Sequence, residues 1–448
     1  MTVTTRTVYL ACLSVLLVLP AGAADESSTS VQQKIVNFRL GASQQDMANA
    51  TAVVPNSSPT PRAEKQGSWF DHVFDQKLPV TFGINVAEIY SDNIFYQPHG
   101  TDDYITRISP FISFQLGRPI ANLTPSLDQE TKDIKSDAGN LNFLKIDYHP
   151  TFNLYAKNSH LDVVDEYANA QYAHQFGKLT LSLEQNYQKL SQPTIEDTAV
   201  GELVHRDIYQ TNFLASYIYS DKLSTYGSIH QIISDYQSHL YTSSNEWNGE
   251  YYFLYQLLPK LSIGAGPKIG YIDIDRAENQ AYQQALIHLF YPATGKLSFS
   301  AAFGGEVREY TGSGPTRVTP ILDAAASYRP FDSMTISLSA SRHDIVSNSQ
   351  VGQNYTASNV TLSVRQRLVQ VVYFTLTGGY QNDSYTGGGT STGPKREDDF
   401  FFVSTGLEWN SKDLFVVDAS YQYSRDDSTA QIFSFDENRF TVSGTVKY

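Results

Sequence analysis

The chain has 448 residues, one cysteine and a formal net charge of −14, with 32 Lys and Arg against 46 Asp and Glu. That balance excludes nucleic acid as a partner, because phosphate binding calls for clustered cations. Mean hydropathy is −0.32. No apolar run reaches the roughly 20 residues of a membrane-spanning helix, so any membrane crossing must be made by strands.

The chain opens like an export signal. Arg6 precedes an apolar run of 12 residues, Val8 to Leu19, and Ala21-Gly22-Ala23 supplies the small residues of a cleavage site. Cys12 lies inside the run and is not read as a lipidation site. Cleavage after Ala23 leaves a chain without cysteine, and so without disulfides or thiol chemistry. Residues 24–78 read as a periplasmic segment. Asp25 to Gln66 is rich in Ser, Thr, Gln, Asn, Ala and Pro with little periodicity, the composition of a disordered stretch. Trp69, Phe70, Val73 and Phe74 then fall at helical spacing, which predicts a short helix near 68–75. An interfacial or plugging helix and a simple hydrophobic clip both remain open for it.

From residue 79 to 448 the period is two. In Asn142 to Lys157, Leu144, Ile146, Tyr148, Phe152 and Leu154 take one face, while Lys145, Asp147, His149, Asn153 and Lys157 take the other. Leu297 to Arg308 and Met334 to His343 alternate in the same way. Such segments are amphipathic strands. At roughly 10 to 14 residues they exceed the usual strand of a soluble sheet and suit a tilted crossing of a bilayer. Short turns at Gly177-Lys178, Ser220 to Lys222, Pro259-Lys260, Thr294 to Lys296, Pro330 to Ser333, Leu368 to Gln370 and Ser411 to Asp413 alternate with longer polar loops. The loops include Ser191 to His205, Thr311 to Arg317 and Gln381 to Glu397. Short periplasmic turns and long outer loops are the arrangement of a transmembrane antiparallel up-and-down β-barrel, here of about 18 strands, with 16 as the alternative. Arg118 to Asn140 breaks the pattern as a long connection where a short turn is expected. At the C-terminus Phe440, Val442, Val446 and Tyr448 alternate up to a terminal aromatic residue, similar to the last strand that outer-membrane barrels present to their assembly machinery.

The first hairpin carries a family resemblance. Val86 to Gln97 reads VAEIYSDNIFYQ, and YITRISPFISFQLG follows from Tyr104. Asp92-Asn93-Ile94-Phe95 and Arg107-Ile108-Ser109-Pro110 resemble the corresponding strands of a β-barrel porin family of the bacterial outer membrane found beside exopolysaccharide synthesis genes. The resemblance spans Thr81 to Gly117 and extends loosely beyond as Tyr-rich strands. The long N-terminal segment and the stretch Arg118 to Asn140 depart from it. The resemblance implies export of a polysaccharide, with periplasmic export proteins as partners, and no catalytic residues. The alternative from the barrel alone is a diffusion or substrate-specific porin for small solutes.

If the apolar faces meet lipid, the lumen receives Arg107, Lys145, Asp147, Glu184, Glu250, Lys268, Glu306, Arg308, Asp323, Arg365, Arg367, Glu408 and Asp418. Charges of both signs on a wet wall can bind passing hydroxyls and carboxylates, or simply pair with one another. Lys178, Lys222, Lys260, Lys296 and Lys412 recur in the tight turns. On a periplasmic rim they draw an anionic polymer, or they are ordinary turn residues. Outer-membrane lipids and lipopolysaccharide are the expected surroundings. Acidic pairs such as Asp165-Glu166, Glu397 to Asp399 and Asp426-Asp427 read as solvated loop charges without the spacing of a calcium loop. Arg342-His343-Asp344 is the one base–carboxylate neighbourhood considered for catalysis, and it has no specificity. No enzyme activity, cofactor or metal is expected.

Overall fold

A computed structural model describes residues 80–117, 142–191, 203–312, 314–349, 352–387, 396–411 and 414–448. The export signal, the periplasmic segment with its short helix, the stretch Arg118 to Asn140 and Lys412 lie outside these residues.

The described chain is one 18-stranded antiparallel sheet in which each strand pairs with its neighbours in sequence. The strands are β1 Val80–Ser91, β2 Asp103–Gly117, β3 Asn142–Tyr155, β4 Val163–Phe176, β5 Leu179–Leu190, β6 Arg206–Ile218, β7 Leu223–Tyr236, β8 Ser244–Leu258 and β9 Leu261–Ile274. They continue as β10 Gln280–Thr294, β11 Leu297–Tyr310, β12 Arg317–Phe331, β13 Met334–Val346, β14 Gln353–Val369, β15 Val372–Gly387, β16 Glu397–Ser411, β17 Phe415–Ser428 and β18 Phe435–Lys447. β1 closes the sheet on β18, with Ile84 opposite Val446 and Tyr90 opposite Phe440. Beyond the ladder, Tyr448 N–H donates to Phe82 O at 2.7 Å and Phe82 N–H to Tyr448 O at 2.9 Å. Closure is what lipid demands, since an unpaired strand edge has no water to satisfy it.

Alternation decides which side of the wall each residue takes. Phe82, Ile84 and Val86 are exposed on the outer surface, and Asn85, Ala87 and Ile89 on the opposite alternation are buried inside. Phe440, Val442, Val446 and Tyr448 likewise stand on the outer face. Polar residues on the inner face hydrogen-bond across strands, as Asn85 does to Thr445 at 2.7 Å. Glycines on the inner face of some strands let an aromatic ring lie flat on the wall: the Tyr282 ring occupies the space over Gly270, and the Phe111 ring that over Gly83.

Several strands outrun the sequence reading at the long-loop end. Gln381 to Gly387 belongs to β15 instead of a loop, and Asp165-Glu166, Glu397 to Asp399 and Asp426-Asp427 lie in β4, β16 and β17. Acidic residues lower the strand signal. Here, above the apolar band, ladder pairing outweighs that preference.

Candidate functional site

The sheet splits at one place near its long-loop end. β12 and β13 stay paired only as far as Leu322 opposite Arg342. β11 and β12 continue to Arg308 opposite Arg317, and β13 and β14 continue to Val346 opposite Asn354. Beyond Arg342, therefore, the β13–β14 hairpin leaves the wall and folds into the lumen.

Its contacts show where it comes to rest. Val346 packs on the lumen-facing cluster of Ile272, Ile274 and Tyr282 from β9 and β10. Thr242 N–H donates to Asn348 O at 2.8 Å, and Asn348 Nδ2 donates to the Tyr236 hydroxyl at 3.1 Å, which ties the hairpin to the segment between β7 and β8. The even-numbered face, which carries lipid-facing Val360 and Leu362 lower on β14, is thereby turned against the inner wall.

Two arginines of that wall pin it. Arg308 Nε donates to Glu306 at 2.7 Å, Nη1 to Gln280 at 3.0 Å and Nη2 to the Asp344 carbonyl at 3.0 Å. Arg317 meets the Asp344 carboxylate at 3.3 Å and donates to Thr356 at 2.7 Å. The Asp344 carboxylate also accepts from Thr319 at 3.0 Å and from Thr356 at 2.6 Å. Beneath the hairpin the amides of Gln280 and Asn354 lie 2.9 Å apart, and Gln284 donates to Glu306 at 2.6 Å. A buried ion pair is tolerable only when its remaining donors and acceptors are satisfied. Glu306 is satisfied by Arg308 and Gln284, and the hairpin supplies the Asp344 carbonyl that takes the Arg308 Nη2 donor.

The hairpin's other face continues the inward packing. Tyr355 and Tyr385 stack with centroids 4.9 Å apart. The Arg396 guanidinium lies 4.5 Å over Tyr385 and 3.5 Å over Phe433 from the turn between β17 and β18. Next to it, Tyr96 from the β1–β2 connection packs with Phe400 and Phe435, and its hydroxyl accepts from Arg439 at 2.7 Å. Burial there pushes the Tyr96 phenol well above its ordinary range, so it stays neutral. Aromatic rings and arginines thus line this arc of the long-loop mouth from β14 round to β1.

The charged residues picked out from the sequence all sit on the lumen-side alternation of their strands, but in two environments. Arg107, Glu306 and Arg308 are buried at 5, 1 and 2% exposure, so inward-folded segments cover them. Arg107 donates to Asn153 at 3.0 Å. Asp147 is also buried, and the rest lie on the barer wall, mostly paired. Lys145 meets Asp147 at 3.1 Å, Glu250 meets His288 at 3.0 Å and Arg365 meets Glu408 at 3.2 Å. Glu184 accepts from Gln171 at 2.8 Å, and Asp418 accepts from Ser443. Glu250 faces Lys268 across strands, and Arg367 lies near the β14–β15 turn. Asp323 takes His343 at 2.9 Å, so the neighbouring Asp344 is not that histidine's partner.

The turn lysines clasp the barrel. Lys178 donates to Tyr219 O at 3.1 Å, Lys260 to Ala293 O at 2.9 Å and Lys296 to Pro330 O at 2.9 Å, each reaching a carbonyl at the next short turn. Lys222 lies in the corresponding β6–β7 turn, its backbone N–H donating to Ser220 Oγ at 3.4 Å. Sequence reasoning missed the hairpin, Arg317 and Asn348. A signal was present in the run of polar residues Asn354, Thr356 and Ser358 on the face that lower down carries Val360, Leu362 and Val364.

Arg365 and Glu408 remain partly open to water, with side-chain exposures of 39 and 21%. A double-mutant cycle to alanine should return a coupling of about 0.2–1 kcal/mol. Several kcal/mol would mean that this pair is as enclosed as the one under the hairpin.

Residues 315–448 match the family model described as "Putative beta-barrel porin 2". Over β12 to β18 the chain is similar to that porin family. The matched region begins just before β12, and the first hairpin, which carries the resemblance read from the sequence, lies outside it. No curated protein matches the chain. Among solved structures it is similar to OpdK of Pseudomonas aeruginosa with vanillate, at 11% identity over 82% of this chain and 99% of that one, TM-score 0.43. It is also similar to OccAB4 of Acinetobacter baumannii, at 12% identity over 84% of this chain and 100% of that one, TM-score 0.42. OccK2 (OpdF) of Pseudomonas aeruginosa in complex with glucuronate matches at 11% identity over 82% of this chain and 98% of that one, TM-score 0.42.

Proposed function

We propose that the barrel is a porin for small hydrophilic solutes, whose passage the β13–β14 hairpin narrows. The observation that carries this reading is the hairpin's position across the lumen face of β9 to β12, held by Arg308 and Arg317. A sheet of 18 strands encloses an aqueous bore. A threading polymer needs that bore clear along its length, whereas a small solute needs only an opening beside the hairpin. The wall offers charges largely in pairs, which suits weak, reversible contacts: conduction fails when a site binds too well to release. Polysaccharide export, implied by the resemblance of the first hairpin, is the reading this one displaces.

Two measurements separate them. Vesicles carrying the purified full-length barrel should swell quickly in a monosaccharide and much more slowly in a tetrasaccharide. A strain lacking the chain should release extracellular polysaccharide as the complemented strain does. Loss of polymer release, together with vesicles that admit neither sugar, would reverse the assignment.

A further inference from the structure

The lipid-facing wall is not evenly filled. Over β8 to β13, toward the short-turn end, it is recessed into an apolar groove of about 590 Å³. Ala324 and Ala326 form its floor, and Leu258, Tyr291, Phe299 and Leu338 stand around it. These residues belong to the outer face: Tyr291, Phe299 and Leu338 are exposed, while Asp323 and Ser327, on either side of the alanines, take the lumen-side alternation. Ala301 and Ala340 lie beside the alanine floor, so the recess is bounded by small side chains there and by large ones around it.

Charge sits at one end of it. Lys260 Nζ is fixed at Ala293 O and Lys296 Nζ at Pro330 O, both at 2.9 Å. Those carbonyls close β10 and β12, the strands that carry Tyr291 and the alanine floor. Each ammonium has three donors and spends one on its carbonyl, leaving the others for a ligand at the groove's end. Lys260 and Lys296 thus set two ammonium groups at this end of the groove. Short turns face the periplasm in bacterial barrels, which sets this end of the belt in the phospholipid leaflet.

We infer that the groove seats an anionic phospholipid, its acyl chain along Ala324 and Ala326 and its phosphate at Lys260 and Lys296. Clustered lysines beside an apolar surface favour acidic headgroups over zwitterionic ones. The inference stands apart from the solute the barrel passes, and it gives two of the turn lysines a ligand of stated chemistry.

The test uses the purified full-length barrel in mild detergent. It is equilibrated with mixed micelles holding equal phosphatidylglycerol and phosphatidylethanolamine and washed, and the retained lipid is quantified by mass spectrometry. The wild-type chain should retain phosphatidylglycerol several-fold over phosphatidylethanolamine. K260Q/K296Q should lose that preference with total retained lipid little changed, and K178Q/K222Q should keep it. A324L/A326L should retain less of both lipids, its folding checked by heat-modifiable gel mobility. Equal retention of the two lipids by the wild type, or a preference that survives K260Q/K296Q, would overturn the proposal. So would preferential retention of lipopolysaccharide when that is supplied as a competitor.

Discussion

Replacing Arg308 with alanine should free the β13–β14 hairpin and raise the conductance of single channels. The wild-type guanidinium holds Glu306, Gln280 and the Asp344 carbonyl at once. Without it, Glu306 is left 1% exposed with Gln284 still donating to it. Removing one partner of a buried pair costs about 3–5 kcal/mol, because the other charge stays behind uncompensated. The molecule has a cheaper response than global unfolding. The hairpin is already unpaired from β12 beyond Arg342, so it can lift and let water reach Glu306. Heat-modifiable mobility should therefore change little, while conductance and the size limit for sugars rise together. Asp344→Ala should act the same way through Arg317. An E306M/R308M double variant, which removes both charges and keeps apolar volume, should restore most of the wild-type conductance. A folded R308A barrel with wild-type conductance would show that the hairpin does not limit the bore.

Gly304→Ala should weaken the barrel itself. A Cβ at Gly304 would lie 1.8 Å from the Ala285 carbonyl oxygen, and one at Gly266 would lie 1.9 Å from that of Tyr251. These neighbours are backbone in a paired strand, so no side-chain rotation relieves the clash and the ladder must spread. Overpacking of this kind costs about 1–3 kcal/mol, and the upper end is expected where main chain must move. Gly249→Ala is the control, since its nearest neighbour would be 3.7 Å away. In urea unfolding from vesicles the midpoint should fall for G304A and G266A and stay put for G249A. Equal midpoints for all three would mean that the wall breathes enough to absorb a methyl group.

How much of this was legible in the sequence follows from how far each determinant reaches along the chain. The strands and their faces were legible because alternation is local: lipid on one side and water on the other force period two, strand after strand. Phe82 and Ile84 outside with Asn85 and Ala87 inside follow from that alone. Strand number came with it, through the short turns, and so did the outward placement of Phe440 and Val442 on the closing strand. The ends of the strands were less legible, because the acidic residues at Glu397 to Asp399 read as loop until the neighbouring strands are present to pair with them.

What only the tertiary structure decided is which lumen-side charges meet water. Arg308 and Arg365 follow the same alternation and look alike along the chain. One is covered by a hairpin, and the other stands on the wall. The difference comes from residues far away in sequence, Asn348 and Thr242 among them, that hold the hairpin down. Likewise His343 and Asp344 are neighbours in sequence, yet His343 meets Asp323 in one network and Asp344 meets Arg317 in another. The chain by itself therefore determined the barrel and its two faces, because those are set by solvent on either side of each strand. The constriction was decided in three dimensions, because the place where β13 leaves β12 is set by contacts across the lumen that no local pattern records.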